Sequence, residues 1–152
     1  MQSILVISNR TCECPAVIDE VVRHAQTVAE ASVMLVAPAV NSRLRHLVSD
    51  TDAALADARL RVENAVSELV ARGVTVTGRV GDADPLQAID DALVVFPADE
   101  LILATHPPES SHWLERDLLA RIAERYSLPL THVVSRYGLG AGDIAVTEVR
   151  AG

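Results

Sequence analysis

Five short apolar runs alternate with four longer segments of helical spacing, and this alternation constrains the fold more than any single motif. The runs are Ile4–Ser8, Val33–Val36, Val74–Val80, Leu101–Thr105 and Leu130–Val134, rich in β-branched and aliphatic residues and short enough to be buried strands. Between them, Val17, Val21, Ala25 and Val28 recur at helical spacing, as do Leu55, Ala58, Val62, Val66 and Leu69. Leu86, Ile89, Leu93 and Phe96 mark a third helix, and Leu114, Leu118, Ile122 and Tyr126 a fourth, expected over Ser111–Tyr126. Pro15 suits a first helical turn, Gly73 a helix end, and Asp84-Pro85 a capped helix start. In the fourth helix, Glu115 and Asp117 near the start and Arg121 and Arg125 near the end match the helix dipole. A strand-helix order repeated in this way requires parallel strands, because each helix returns the chain to restart in the same direction. The expected fold is therefore α/β, a three-layer doubly wound sheet of five parallel strands with helices on both faces. The Val–Thr alternation of Val74–Thr77 predicts an edge strand with one wet face. Residues 1–134 are expected to form this domain, and residues 135–152 a tail or an added strand, with Ile144–Val149 strand-like.

Composition narrows the chemistry. The chain is 49% hydrophobic but only 3% aromatic, so its core must be aliphatic and a flavin-stacking site is excluded. Twenty-one carboxylates face thirteen basic residues, for a net charge of −8, and the basic residues do not cluster, which argues against a nucleic-acid partner. All thirteen are Arg, so mechanisms needing a lysine nucleophile, Schiff base or P-loop lysine are excluded. The longest apolar stretch, Val33–Val40, is far too short to span a bilayer, and no basic segment precedes Ile4–Ile7; the expectation is a cytoplasmic protein with no membrane partner. Cys12 and Cys14 are one residue apart, which fits neither a redox CxxC nor a complete zinc set. There is no GxSxG, HExxH, GxGxxG or GxxxxGK[ST] motif, and no catalytic residue or metal site is assigned.

If the strand order reverses beside the first strand, a crevice opens at the carboxyl ends of strands one and four. Ser8, Asn9 and Arg10 follow the first strand, and Arg43 and Arg45 lie in the loop after the second. Thr105, His106, Ser110 and Ser111 follow the fourth, leading into a helix whose free amides favour an anion. Each has a plainer reading: Ser110 or Ser111 as a helix cap, His106 packed on its loop, the arginines as solvated charges. Asp82 and Asp84 read as a metal pair or, better, as a helix start; Trp113 as packing; His24 and His132 as structural; His46 and His112 stay open.

The order of elements, the polar turn after ILVIS, the GDADPLQAIDDA segment, the LILAT strand running into a helix and the closing SLPLTHVV together resemble a universal stress protein domain over roughly residues 2–134. The resemblance implies a sheet in the order 3-2-1-4-5 and dimerisation through strand five. ATP-binding members carry Gly-x-x-Gly, nine residues, then Gly-Ser or Gly-Thr after strand four. Here no glycine occurs between Gly81 and Gly138, and Asn9 stands nearest the acidic residue those members use after strand one. Both departures argue against ordinary ATP binding but leave an anion site at the helix start. The PAVNSRLRH and THPPESSHWLER segments resemble a small branch of the family with no assigned chemistry.

The expected function is non-enzymatic: a stress-response or regulatory domain binding a nucleotide or other phosphate-bearing small molecule through Ser8, Asn9, Arg10, Arg43, Thr105, His106, Ser110 and Ser111. The alternative is a ligand-free module acting as a homodimer or through a protein partner, in which deletion of Gly138–Gly152 weakens association. An enzyme with His106 as general base is the least supported reading, because no adjacent nucleophile is evident.

Overall fold

The computed structural model describes residues 2–8, 14–38, 50–105, 117–135 and 144–147. Its strands are β1 (Gln2–Ser8), β2 (Ala31–Pro38), β3 (Thr75–Gly81), β4 (Glu100–Thr105), β5 (Leu130–Ser135) and β6 (Ile144–Thr147). The described helices are α1 (Pro15–Gln26), α2 (Asp50–Ala71), α3 (Pro85–Val95) and α4 (Leu118–Arg125). The sheet order is β3-β2-β1-β4-β5-β6. The first five strands are parallel, and β6 lies antiparallel on β5, pairing Ser135 with Ile144 and His132 with Thr147. The added strand therefore covers the outer edge of β5, the edge through which the family resemblance implied dimerisation. Among the described residues, the edge strands of the sheet are β3 and β6.

Strand alternation divides the core in two. Ile4, Val6, Val33, Leu35, Ile102, Ala104 and Val133 meet α1 and α2 on one face. Leu5, Ile7, Val36, Leu101, Leu103 and Leu130 meet α3 and α4 on the other. The central strands are aliphatic on both faces because helices cover both, and β1 is buried from Ile4 to Ser8. Full burial of each such aliphatic side chain stabilises the fold by roughly 1.5–3 kcal/mol. β3 has Thr75, Thr77 and Arg79 exposed, as its edge position and Val–Thr alternation predict.

Local signals set the boundaries. Pro15 opens α1, whose first bond runs from the Ile18 amide to the Cys14 carbonyl at 3.0 Å. The Asp84 side chain accepts from the Leu86 amide at 3.0 Å, with Pro85 in the first position of α3. Gly73, at φ 84°, ends α2 in the left-handed region. The fourth helix needs correction at its start. Asp117 has φ 52°, which no residue inside a right-handed helix adopts, so the described helix begins at Leu118 and Asp117 is not in its first turn. Residues 111–116 lie outside the described residues, and Tyr126 is an extended cap. Tyr126 ties α4 to α3: its hydroxyl donates to Asp90 and reaches the Leu86 carbonyl at 3.3 Å. Burial, then the Asp90 contact, hold that phenol protonated well beyond its usual range.

Candidate functional site

The chain travels outward from β1 to β2 to β3, then crosses back to β4 and β5 on the other side of β1. The helix that follows β1 packs on one face and the helix that follows β4 on the other, the topology beside which doubly wound sheets usually hold a ligand. Two buried polar residues end these strands: Ser8 on β1 and Thr105 on β4, neither exposed to solvent. Register places Ser8 beside Ala104, so the two backbones meet at the same edge. The side chains diverge. Ser8 has the parity of Ile4 and Val6 and lies on the α1/α2 face, whereas Thr105 has the parity of Leu101 and Leu103 and lies on the α3/α4 face.

Thr105 meets a residue that the sequence reading set aside as structural. Its Oγ1 lies 2.9 Å from Nε2 of His132, which is also buried. Burial pushes the His132 pKa below its ordinary value, so the ring is neutral near pH 7 and can donate or accept at that nitrogen. His132 lies opposite Leu103 across the β4–β5 pair, and the contact crosses to the residue two positions further along β4. The signal was present in the parity of LILAT and LPLTHVV, but only the register aligns the two. Asn9, Arg10, Arg43, Arg45, His106, Ser110 and Ser111 lie outside the described residues, as do Cys12, His46, His112 and Trp113. Of the expected site residues, the structure thus locates Ser8 and Thr105. Asp82 accepts from the Asp84 amide at 2.8 Å, which with the Asp84 cap makes this pair the start of α3. Among the described residues, no group of three His, Cys, Asp or Glu side chains could hold a metal ion.

At the opposite edge lies an open groove of about 430 Å³, lined by Gln2, Val28, Ala29, Glu30 and Asp99. Asp99 is engaged there, accepting from the Ser3 amide at 2.8 Å. Behind the groove, Gln2 donates to Glu100 at 3.1 Å, and Glu100 in turn meets His24 of α1. This second polar set was also missed as a unit. Glu20, Arg23 and His24 are helical neighbours by spacing, but nothing in the sequence places Glu100 against them.

No helix among the described residues is long and apolar enough to cross a membrane. No protein-family model and no curated protein matches the chain. Among solved structures, a universal stress protein crystallised in complex with cAMP is similar over 88% of this chain and 96% of its own, with a TM-score of 0.51 and 18% sequence identity. Five parallel strands in the order 3-2-1-4-5 between two helical layers, and that likeness, give this chain the universal stress protein fold.

Proposed function

We propose that the protein is a non-catalytic regulatory domain that binds a nucleotide, or another phosphate-bearing small molecule, over the carboxyl ends of β1 and β4. The observation that carries this reading is the reversal of strand order at β1 and β4, the position at which doubly wound sheets usually hold a ligand. A protein of the same fold has been crystallised with cAMP, which supports a nucleotide as the ligand class. In this reading Ser8, Asn9 and Arg10 flank one side, Arg43 approaches the phosphate, and Thr105, His106, Ser110 and Ser111 border the other side. The Thr105–His132 contact fixes the end of β4, from which the loop carrying the other donors departs. Isothermal titration with AMP, ATP and cAMP tests the reading: saturable heat with at least one is expected, and no heat with any at millimolar concentration refutes it.

A second reading rests on the absence of glycine between Gly81 and Gly138, the stretch where a phosphate-wrapping loop needs it. In that reading the domain binds no small molecule and acts as a dimer or through a protein partner. A dimer mass in light scattering together with silent titrations favours it.

A further inference from the structure

Glu20, His24 and Glu100 bring three ionisable side chains together at the amino-terminal edge of the sheet, remote from the proposed ligand crevice. Their side chains are only 9%, 12% and 11% exposed. The His24 ring lies between the two carboxylates: Nδ1 is 3.2 Å from Glu100 Oε2, and Nε2 is 3.1 Å from Glu20 Oε1. A neutral imidazole has one N–H and one lone pair, so it can donate to only one of them and must turn a lone pair toward the other. Only the imidazolium donates to both. Two flanking carboxylates therefore favour the protonated ring.

The surrounding charges act in both directions: the carboxylates favour the protonated ring, and the Arg23 guanidinium, a donor only, opposes it. On α1, Arg23 donates to Glu20 and lies 3.5 Å from His24 Nε2. From β1, the Gln2 amide donates to Glu100 Oε1 at 3.1 Å. On β2 and β5, the residues sharing this face near the same edge are Ala31 and Thr131, neither of which titrates. Just past α2, Arg72 pairs with Asp19 of α1 and Glu68 of α2, while Asp99 before β4 is held by the Ser3 amide. With His24 charged, two carboxylates meet two cations. Loss of its proton leaves Glu20 and Glu100 against the Arg23 guanidinium, in a site with little water to screen them.

We propose that the His24 imidazolium, clasped between Glu20 and Glu100, is a proton-dependent latch that holds the carboxyl-terminal end of α1 against the start of β4 and loosens as the pH rises. The step is the release of one proton from a ring nitrogen to water, with no heavy-atom bond made or broken. The Glu100 hydrogen bond, then burial acting against it, then the Glu100 and Glu20 charges, leave the His24 pKa above its ordinary 6.5. Glu20 is held below the usual carboxylate range: burial opposes this, and Arg23 and His24 together outweigh it. A histidine with a raised folded value contributes fully below the unfolded value, and its contribution disappears as the pH rises through the folded one. Linkage then fixes the form of the response. The local opening constant rises up to about tenfold per pH unit between the two values and levels off above the folded one.

The test is the proton resonance of His24 on labelled full-length protein, combined with hydrogen exchange of the Val22–Gln26 amides corrected for intrinsic rates. The expected result is a His24 midpoint above 6.5 and corrected exchange that rises with pH up to that midpoint. In His24→Gln, which keeps a polar side chain but cannot ionise in this range, the corrected exchange should be independent of pH. Glu100→Gln should move the His24 midpoint down. A midpoint at or below 6.5 in the unsubstituted protein overturns the proposal, whether or not either variant folds. The same pH profile in the unsubstituted protein and His24→Gln also overturns it.

Discussion

Gly78 sits in the middle of β3, where a glycine otherwise weakens a strand, and the reason is the helix above it. A Cβ at this position would lie 2.3 Å from Val62 Cγ1 and 2.7 Å from Val66 Cγ2, both on α2. Carbon atoms settle at about 3.5–4.0 Å, so Gly78→Ala demands a displacement of about 1.2 Å at Val62. Neither valine can swing aside easily, because a β-branched side chain in a helix has essentially one χ1 rotamer. The helix must therefore lift from the sheet along the line where Val62, Ala65 and Leu69 are buried. Overpacking of this kind costs about 1–3 kcal/mol, against which the reduced freedom of the unfolded chain returns only about 0.4–1 kcal/mol. The expected net loss is about 1–2 kcal/mol, read as a fall of roughly 0.5–1 M in the urea midpoint with an m-value near 2 kcal/mol/M. The decisive measurement is a double-mutant cycle with Val62→Ala, which opens the space that the new methyl needs. The double variant should be more stable than the sum of the two single losses by about 1 kcal/mol or more. A neutral Gly78→Ala, or strict additivity in the cycle, refutes the argument that close approach of α2 selects glycine here.

Two further outcomes follow from the buried polar groups. His24 and His132 are shifted in opposite directions, up by Glu100 and down by burial, so their contributions are lost on opposite sides of the ordinary value of 6.5. His132 supports the fold above 6.5 and its contribution is lost as the pH falls through its depressed folded value; His24 does the reverse. The thermal midpoint should therefore pass through a maximum near neutrality between about pH 5 and 8, and a monotonic profile over that range counts against the pair. Asp84→Ala removes the acceptor for the Leu86 amide at the start of α3 and should cost about 1 kcal/mol in urea unfolding, whereas Asp84→Asn should retain most of it; equal losses would contradict the cap.

The sheet was legible because its signals are local. Each of the five parallel runs is a few aliphatic residues bounded by turns, and Asp84-Pro85 and Gly73 mark helix boundaries in one or two positions. The Ser111–Tyr126 periodicity was misleading because apolar spacing carries no information about a left-handed residue such as Asp117. The site was less legible for a different reason. Thr105 with His132, and His24 with Glu100, are separated by 27 and 76 positions and are aligned only by strand register and helix docking. Ser8 and Thr105 show the converse: two residues that belong to one edge by topology are sent to opposite faces by parity. Topology indicates which edge can receive a ligand, and parity decides from which face each side chain approaches it.

The same distinction governs the tail. The tail is strand-like over Ile144–Val149 in the sequence and β6 spans Ile144–Thr147, but its partner was not legible, and that partner argues for a different effect of deletion. If the strand served assembly directly, removing it would reduce association. In the structure it pairs antiparallel with β5 of its own chain, over His132–Ser135, so its removal exchanges the short four-residue edge of β6 for the longer six-residue edge of β5. Uncovered edges of this kind recruit other chains. A chain ending at Ser135 should therefore show a larger weight-average mass than the full chain, increasing with protein concentration, in light scattering. The ladder involves only four residue pairs, so the chain ending at Ser135 should remain folded, and the effect should appear as association rather than loss of helix signal. An unchanged or smaller mass after truncation refutes the protective role and favours β6 as a direct contact between chains.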